Sequence, residues 1–224
     1  GGTYVDDVFS SYLYKGTGAT QTITNEIDLS GEGGLVWIKN RTLGDAYNFN
    51  LYDTERGATK FLVSNANDGE DTSATRLNQF NNNGFRLGGN TVVNASNKNF
   101  ISWNFRKAPG FFDVVTYTGT GSARTVAHNL GSVPGCIMIK RTDANSDWVV
   151  YHRAVGPTEA LRLDSSAGAG GGSTRFNDTA PTASVFTVGT TSHVNANGGS
   201  YVAYIFAGGE STAATARSVD FNGS

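Results

Sequence analysis

The sequence predicts an all-β fold made of two tandem antiparallel β-sandwich modules, jelly-roll-like and related by an internal repeat. Three observations carry this expectation. Short runs rich in Val, Ile, Tyr, Phe, Trp and Thr are closed repeatedly by Gly, Asn, Asp or Ser, the pattern of strands and tight turns. No segment shows the helical apolar period, and 29 Gly against 1 Met with 16% charged residues is a composition poor in helix formers. The third is self-similarity: Tyr14-Lys15-Gly16-Thr17-Gly18 returns as Tyr117-Thr118-Gly119-Thr120-Gly121, a period close to the size of one small domain.

The elements follow in order. In the first copy, 8–15 and 99–106 alternate aromatic and polar residues, and 35–40 is a mostly apolar run. Between them, 20–24, 46–53, 60–64, 75–80 and 84–87 are short β-branched or aromatic runs bounded by turn residues. The second copy supplies counterparts at 112–118, 124–127, 136–141, 147–153, 160–164, 173–177, 185–188 and 200–207. Matching positions persist throughout: Tyr52 with Tyr151, Gly57 with Gly156, Asn94-Ala95 with Asn195-Ala196, and 100–105 with 201–206. In the last strand of each copy, one parity carries Ile101, Trp103 and Phe105, matched by Val202, Tyr204 and Phe206, and these are the expected core positions. Gly16-x-Gly18 and Gly119-x-Gly121 read as hairpin turns, because Gly tolerates positive φ.

The expected boundaries are 1–109 for the first module, 110–210 for the second, and 211–224 for a linker and the start of a further domain. Both ends read as cut, so the chain is expected to be a fragment. At 224 residues it can bury two small cores without cross-links, and its single Cys136, set in an apolar run, reads as a buried hydrophobe. A net charge of −2 with interspersed signs leaves no basic stripe, which argues against nucleic acid as a partner. No apolar run approaches the ~18 residues of a membrane span, so a soluble chain without membrane insertion is expected.

Motifs for chemistry are few. The paired glycines lack the third Gly and the helix that dinucleotide binding requires. His128, His152 and His193 are far apart and lack ligand spacing, so no metal site is expected. Asp68-Gly69-Glu70-Asp71 is the one acidic cluster, and without the alternate spacing of a calcium loop it reads as a solvated turn. No nucleophile elbow is present, and neither catalytic residues nor a cofactor are expected. The loops that differ between copies (42–48 and 142–147, 65–73 and 165–172, 90–98 and 190–199) are polar. Tyr47, Asn48, Trp148 and Arg175 are the candidate ligand-binding residues there, since amides and aromatic rings suit saccharides.

The elements YTGTG, the run ending in IMIK, DWVVYH and FTVGTTSHVNANGGSYVAYIFA resemble a tandem module of tail-fibre and other virion appendage proteins of tailed bacteriophages, notably of marine and cyanobacterial hosts. The resemblance covers nearly the whole chain. Val219 to Ser224 is similar to the first strand of concanavalin/laminin-G-like sandwiches. The resemblance implies a virion structural protein, made in the host cytoplasm, forming a homotrimer and contacting other virion proteins. With the loops above, it implies attachment to a bacterial surface polysaccharide. Two alternatives stand beside it: a purely architectural capsid or baseplate decoration, and a tailspike-type depolymerase. The last needs two converging carboxylates, for which Asp53 and Glu55 are the candidates.

Overall fold

The computed structural model describes residues 3–209. Among these the fold is all-β, about 40% strand and 10% helix, with antiparallel sheets. Each helix is a single turn of four residues. The similarity noted for Val219 to Ser224 lies outside the described residues.

The first copy holds α1 (Val5–Val8), β1 (Phe9–Lys15), β2 (Gln21–Thr24), α2 (Leu29–Glu32), β3 (Gly34–Asn40), β4 (Asn50–Asp53) and β5 (Lys60–Val63). It continues with β6 (Asp71–Thr72), β7 (Leu77–Asn81), β8 (Gly84–Leu87), α3 (Thr91–Asn94) and β9 (Asn99–Arg106). The second holds β10 (Phe112–Thr118), β11 (Arg124–Ala127), β12 (Pro134–Arg141), β13 (Val149–His152) and β14 (Leu161–Arg162). It ends with α4 (Gly172–Arg175), β15 (Val185–Val188), α5 (Ser192–Asn195) and β16 (Ser200–Ala207).

Sheet order repeats with the sequence. A large sheet β1-β9-β3-β4-β5-β6 in the first copy corresponds to β10-β16-β12-β13-β14 in the second, and a small sheet β2-β8-β7 corresponds to β11-β15. The outer pairs are nested, first strand with last and second with next-to-last, while the middle strands of the large sheet form a meander. In the second copy the small sheet packs on the large one. Val126, Phe186 and Val188 share one buried cluster with Ile137, Ile139, Tyr151, Tyr201, Ala203 and Ile205. Two compact units result: one takes in the chain to Ser64 and Glu70–Lys107, the other takes in Asn65–Gly69 and the chain from Ala108.

The repeated Tyr-x-Gly-Thr-Gly and Asn-Ala elements lock each copy in the same way. Tyr14 donates its hydroxyl to the carbonyl of Val93, and Tyr117 to that of Val194, both at 2.7 Å. Asn94 is fully buried; its amide oxygen accepts from Thr17 N at 2.9 Å, and its Nδ2 donates to the carbonyls of Ala19 (2.6 Å) and Gly88 (2.9 Å). Asn195 makes the same three bonds to Thr120 N, Ser122 O and Gly189 O, at 2.8, 2.7 and 2.7 Å. A Cβ at Gly16 or Gly119 would lie 2.1 Å from the carbonyl oxygen of Ala95 or Ala196, so only glycine fits there.

Three expectations are corrected. The segments around Gly16–Gly18 and Gly119–Gly121 are not hairpin turns. β1 pairs with β9 and β2 with β8, so the loop crosses from one sheet to the other, although Gly18 and Gly121 do have positive φ. The core parity of β9 is the opposite one: Phe100, Ser102 and Asn104 are fully buried, whereas Ile101, Trp103 and Phe105 are half-buried. Phe100 is drawn inward by stacking on Tyr14, and the small inner residues bond each other, with Asn104 Nδ2 donating to Ser102 Oγ at 3.0 Å. In β16 both parities are buried from Tyr201 to Ile205, and Phe206 is half-buried. Residues 173–177 are not a strand: Ser173 to Arg175 belong to α4 and Phe176 caps it. The turn is set by Gly172, whose Cβ position is blocked by Thr158 at 2.2 Å, and by the buried Phe176 packed edge-on to Tyr151.

Candidate functional site

The most organised polar site lies in the second unit, where β12 ends. Lys140 points away from the cluster of Ile137 and Ile139, on the other face of the large sheet, and is fully buried. Its Nζ donates to the carbonyls of Arg141 (2.9 Å) and Asn67 (3.2 Å). Burial lowers its pKa to about 8, opposed by the fields of Asp164, Asp68 and Asp147. The following loop completes the site. Ser146 N donates to the same Asn67 carbonyl at 2.8 Å, and Asn145 Oδ1 accepts from Gly69 N at 3.1 Å. A Cβ at Gly69 would sit 3.1 Å from the Thr142 carbonyl oxygen, so the peptide passes close to the loop.

Around this receiving site the polar side chains pair with each other. Ser146 Oγ lies 2.9 Å from His193 Nδ1, Arg162 Nη1 donates to Asp147 Oδ2 at 2.6 Å, and Asp164 Oδ1 accepts from Trp148 N at 3.0 Å. The His193 pKa is lowered, first by burial. Chemically the arrangement holds a stretch of backbone: an ammonium and an amide N–H on one carbonyl, and a side-chain oxygen on one N–H. No linear motif announces it, since Lys140 and Asn67 lie 73 residues apart and Ser146 and His193 lie 47 apart. The one available signal was the invariance of Lys39 and Lys140 between copies in otherwise apolar runs.

The corresponding face of the first copy is built from aromatic residues. Trp37 and Trp103 face each other in the β3–β9 register, and Trp37, Phe49 and Trp103 form a mutual cluster with ring centroids 6.2 to 6.4 Å apart. All three are half-buried. Lys39 Nζ sits 5.0 Å from the Phe49 ring centre and donates to the Tyr47 carbonyl.

The four candidate ligand-binding residues separate. Tyr47 is 37% exposed and Asn48 is exposed, both in the loop beside this aromatic face. Trp148 is 0% exposed and stacked on Tyr204 at 6.1 Å; its ring is a core element and cannot meet a sugar, which corrects the expectation. Arg175 is half-buried, and its Nη1 donates to the carbonyls of Gly170 and Gly171, so it braces its own loop instead of reaching outward. The structure therefore does not bring the four together at one ligand face.

The carboxylates also part. Buried Asp53 pairs with Arg56 at 2.5 Å, while Glu55 pairs with Lys107 at 2.6 Å. Glu70 pairs with Arg56 at 3.1 Å and Asp71 accepts from Thr72 N, so the acidic run does not converge; Asp68 and Asp71 are exposed, whereas Gly69 and Glu70 are half-buried, so the run is only in part a solvated turn. Among the described residues, no group of three His, Cys, Asp or Glu is placed to hold a metal ion. His128 is buried, with Nε2 to the Thr182 carbonyl and Nδ1 accepting from Leu130 N. Cys136 is half-buried and burial raises its pKa to about 11, the behaviour of an inert thiol.

A family model described as a domain of unknown function, DUF7483, matches residues 5–215. The chain belongs to that family. The match runs through both copies, so the DUF7483 unit is the pair of modules and not one of them. No curated protein and no solved structure matches the chain.

Proposed function

We propose that this DUF7483 chain is a non-catalytic structural part of a bacteriophage virion, in a tail fibre or similar projection, acting as a scaffold of serial modules. The observation that carries the reading is the site at Lys140: its polar groups take up a peptide segment of the same chain and each other. A fold that repeats one strand order and dedicates its best-organised polar site to holding backbone is suited to building an elongated assembly. The sequence resemblance supplies the virion context. Mass spectrometry of purified particles from a phage encoding the chain should find it in fixed ratio to the other structural proteins. Its absence from intact particles would overturn the reading.

A second reading, attachment to a host-surface glycan, is favoured by Tyr47 and Asn48, exposed beside the Trp37–Phe49–Trp103 cluster. Binding on an array of bacterial envelope glycans that is lost in Tyr47→Ala would establish it; no binding by the wild type would remove it.

A further inference from the structure

Each copy of the repeat carries two surfaces of opposite kind. One is the loop that follows the strand paired with β4 or β13; the other is the outer face of the large sheet beside Lys39 or Lys140. In the second unit Asn65–Gly69, the loop after β5, is held at the Lys140 end of this face by Lys140, Asn145 and Ser146. Among the described residues, that leaves one loop and one face without a counterpart. The loop is 165–169, Ser-Ser-Ala-Gly-Ala, which is exposed at every position, and a Cβ at Gly168 would meet nothing within 4 Å. The face is that of the first copy.

We propose that the outer face of the first copy receives residues 165–169 of a second molecule of this chain, joining molecules head to tail. The two faces match position by position. Leu13, Ile101 and Lys39 form one row across β1, β9 and β3, as Thr116, Val202 and Lys140 do across β10, β16 and β12. Where Val202 and Lys140 are buried, Ile101 and Lys39 are half-exposed and Leu13 is 58% exposed. Leu43, 101% exposed, stands on the loop that corresponds to the one bonding Gly69. Lys39 supplies the ammonium that in Lys140 holds a loop carbonyl, and the small residues of 165–169 permit the close backbone approach seen at Gly69. Because donor and acceptor differ, the contact is heterologous. It makes rings or open chains and not a two-fold dimer. A closed ring of three would be a trimer. The inference stands on the repeat and does not depend on the virion reading.

The test is sedimentation velocity on wild type and two double variants changed only at exposed residues. Leu13→Lys with Leu43→Lys spoils the acceptor; Ala167→Lys with Ala169→Lys spoils the donor. Both should melt at the wild-type temperature. Wild-type mass should rise with concentration past that of a dimer, and each variant alone should stay monomeric. Their equimolar mixture should form a dimer and stop there, because one intact donor meets one intact acceptor. Three results would each overturn the proposal: wild type monomeric at every concentration, wild type stopping at a dimer, or an associating wild type whose variant mixture does not pair.

Discussion

The outer faces of the two large sheets have the same strand order but opposite fates. In the second copy Met138, Lys140, Trp148, Val202 and Tyr204 are all buried; their counterparts Trp37, Lys39, Phe49, Ile101 and Trp103 are half-buried. The inner faces, by contrast, agree down to ring geometry: Tyr14–Phe100 and Tyr117–Tyr201 stack at 5.2 and 5.1 Å. The difference teaches that the inner face and its Tyr–Asn lock define the module, while the outer face is where copies are free to diverge.

The largest expected effect separates the outer faces. Tyr204→Ala removes a fully buried ring and should cost about 4 kcal/mol in urea unfolding. Trp103→Ala, at the equivalent half-buried place, should cost only about 1 to 2 kcal/mol by lost apolar burial. Equal costs would erase the contrast.

The inner faces should behave alike. Asn94→Ala and Asn195→Ala each leave one N–H and one carbonyl without a partner, the other carbonyl keeping a threonine hydroxyl, and each should lose about 2 kcal/mol. A large gap between the two would show that the lock is not shared.

The smallest effect is in pH. The Lys140 amine is lowered in the fold to about 8 from 10.5, so below pH 8 the fold carries the penalty of a buried charge. That penalty is relieved as pH rises from about 8 toward 10.5, because the unfolded chain still binds the proton there. Cys136, raised from 9.0 to about 11, acts in the opposite sense above pH 9. Between pH 8 and 9 stability should therefore rise by about 1 kcal/mol, and Lys140→Met should abolish the rise.

Strand identity and the two-copy organisation were legible in the sequence because turn residues bound short β-branched runs and because the repeat pinned equivalent positions. The inner parity of β9 was not. Side-chain size pointed to Trp103 and Phe105, yet the buried positions are Ser102 and Asn104, and the Asn104 amide finds acceptors for its Nδ2 only through contacts formed in the fold. Trp148 was misread for the converse reason: it sits next to a polar loop in sequence, while register places it under Tyr204. The receiving site at Lys140 was invisible because its parts come from Asn67, Asn145, Ser146 and β12, distant segments that no spacing rule connects. Residues 174–177 keep the Thr-Arg-apolar-Asn pattern of 75–78, but the glycines at 170–172 start a helical turn, α4, that takes in Thr174 and Arg175.

The three tryptophans allow the most direct test of the unequal outer faces, since Trp37 and Trp103 lie on one and Trp148 on the other. Single-tryptophan variants, with the other two changed to Phe, would be measured by acrylamide quenching at low and high protein concentration. Trp103 should emit to the red, quench readily in dilute solution and become protected as molecules associate; Trp148 should emit to the blue and resist quenching throughout. Equal accessibility of the two in dilute solution would contradict the unequal faces.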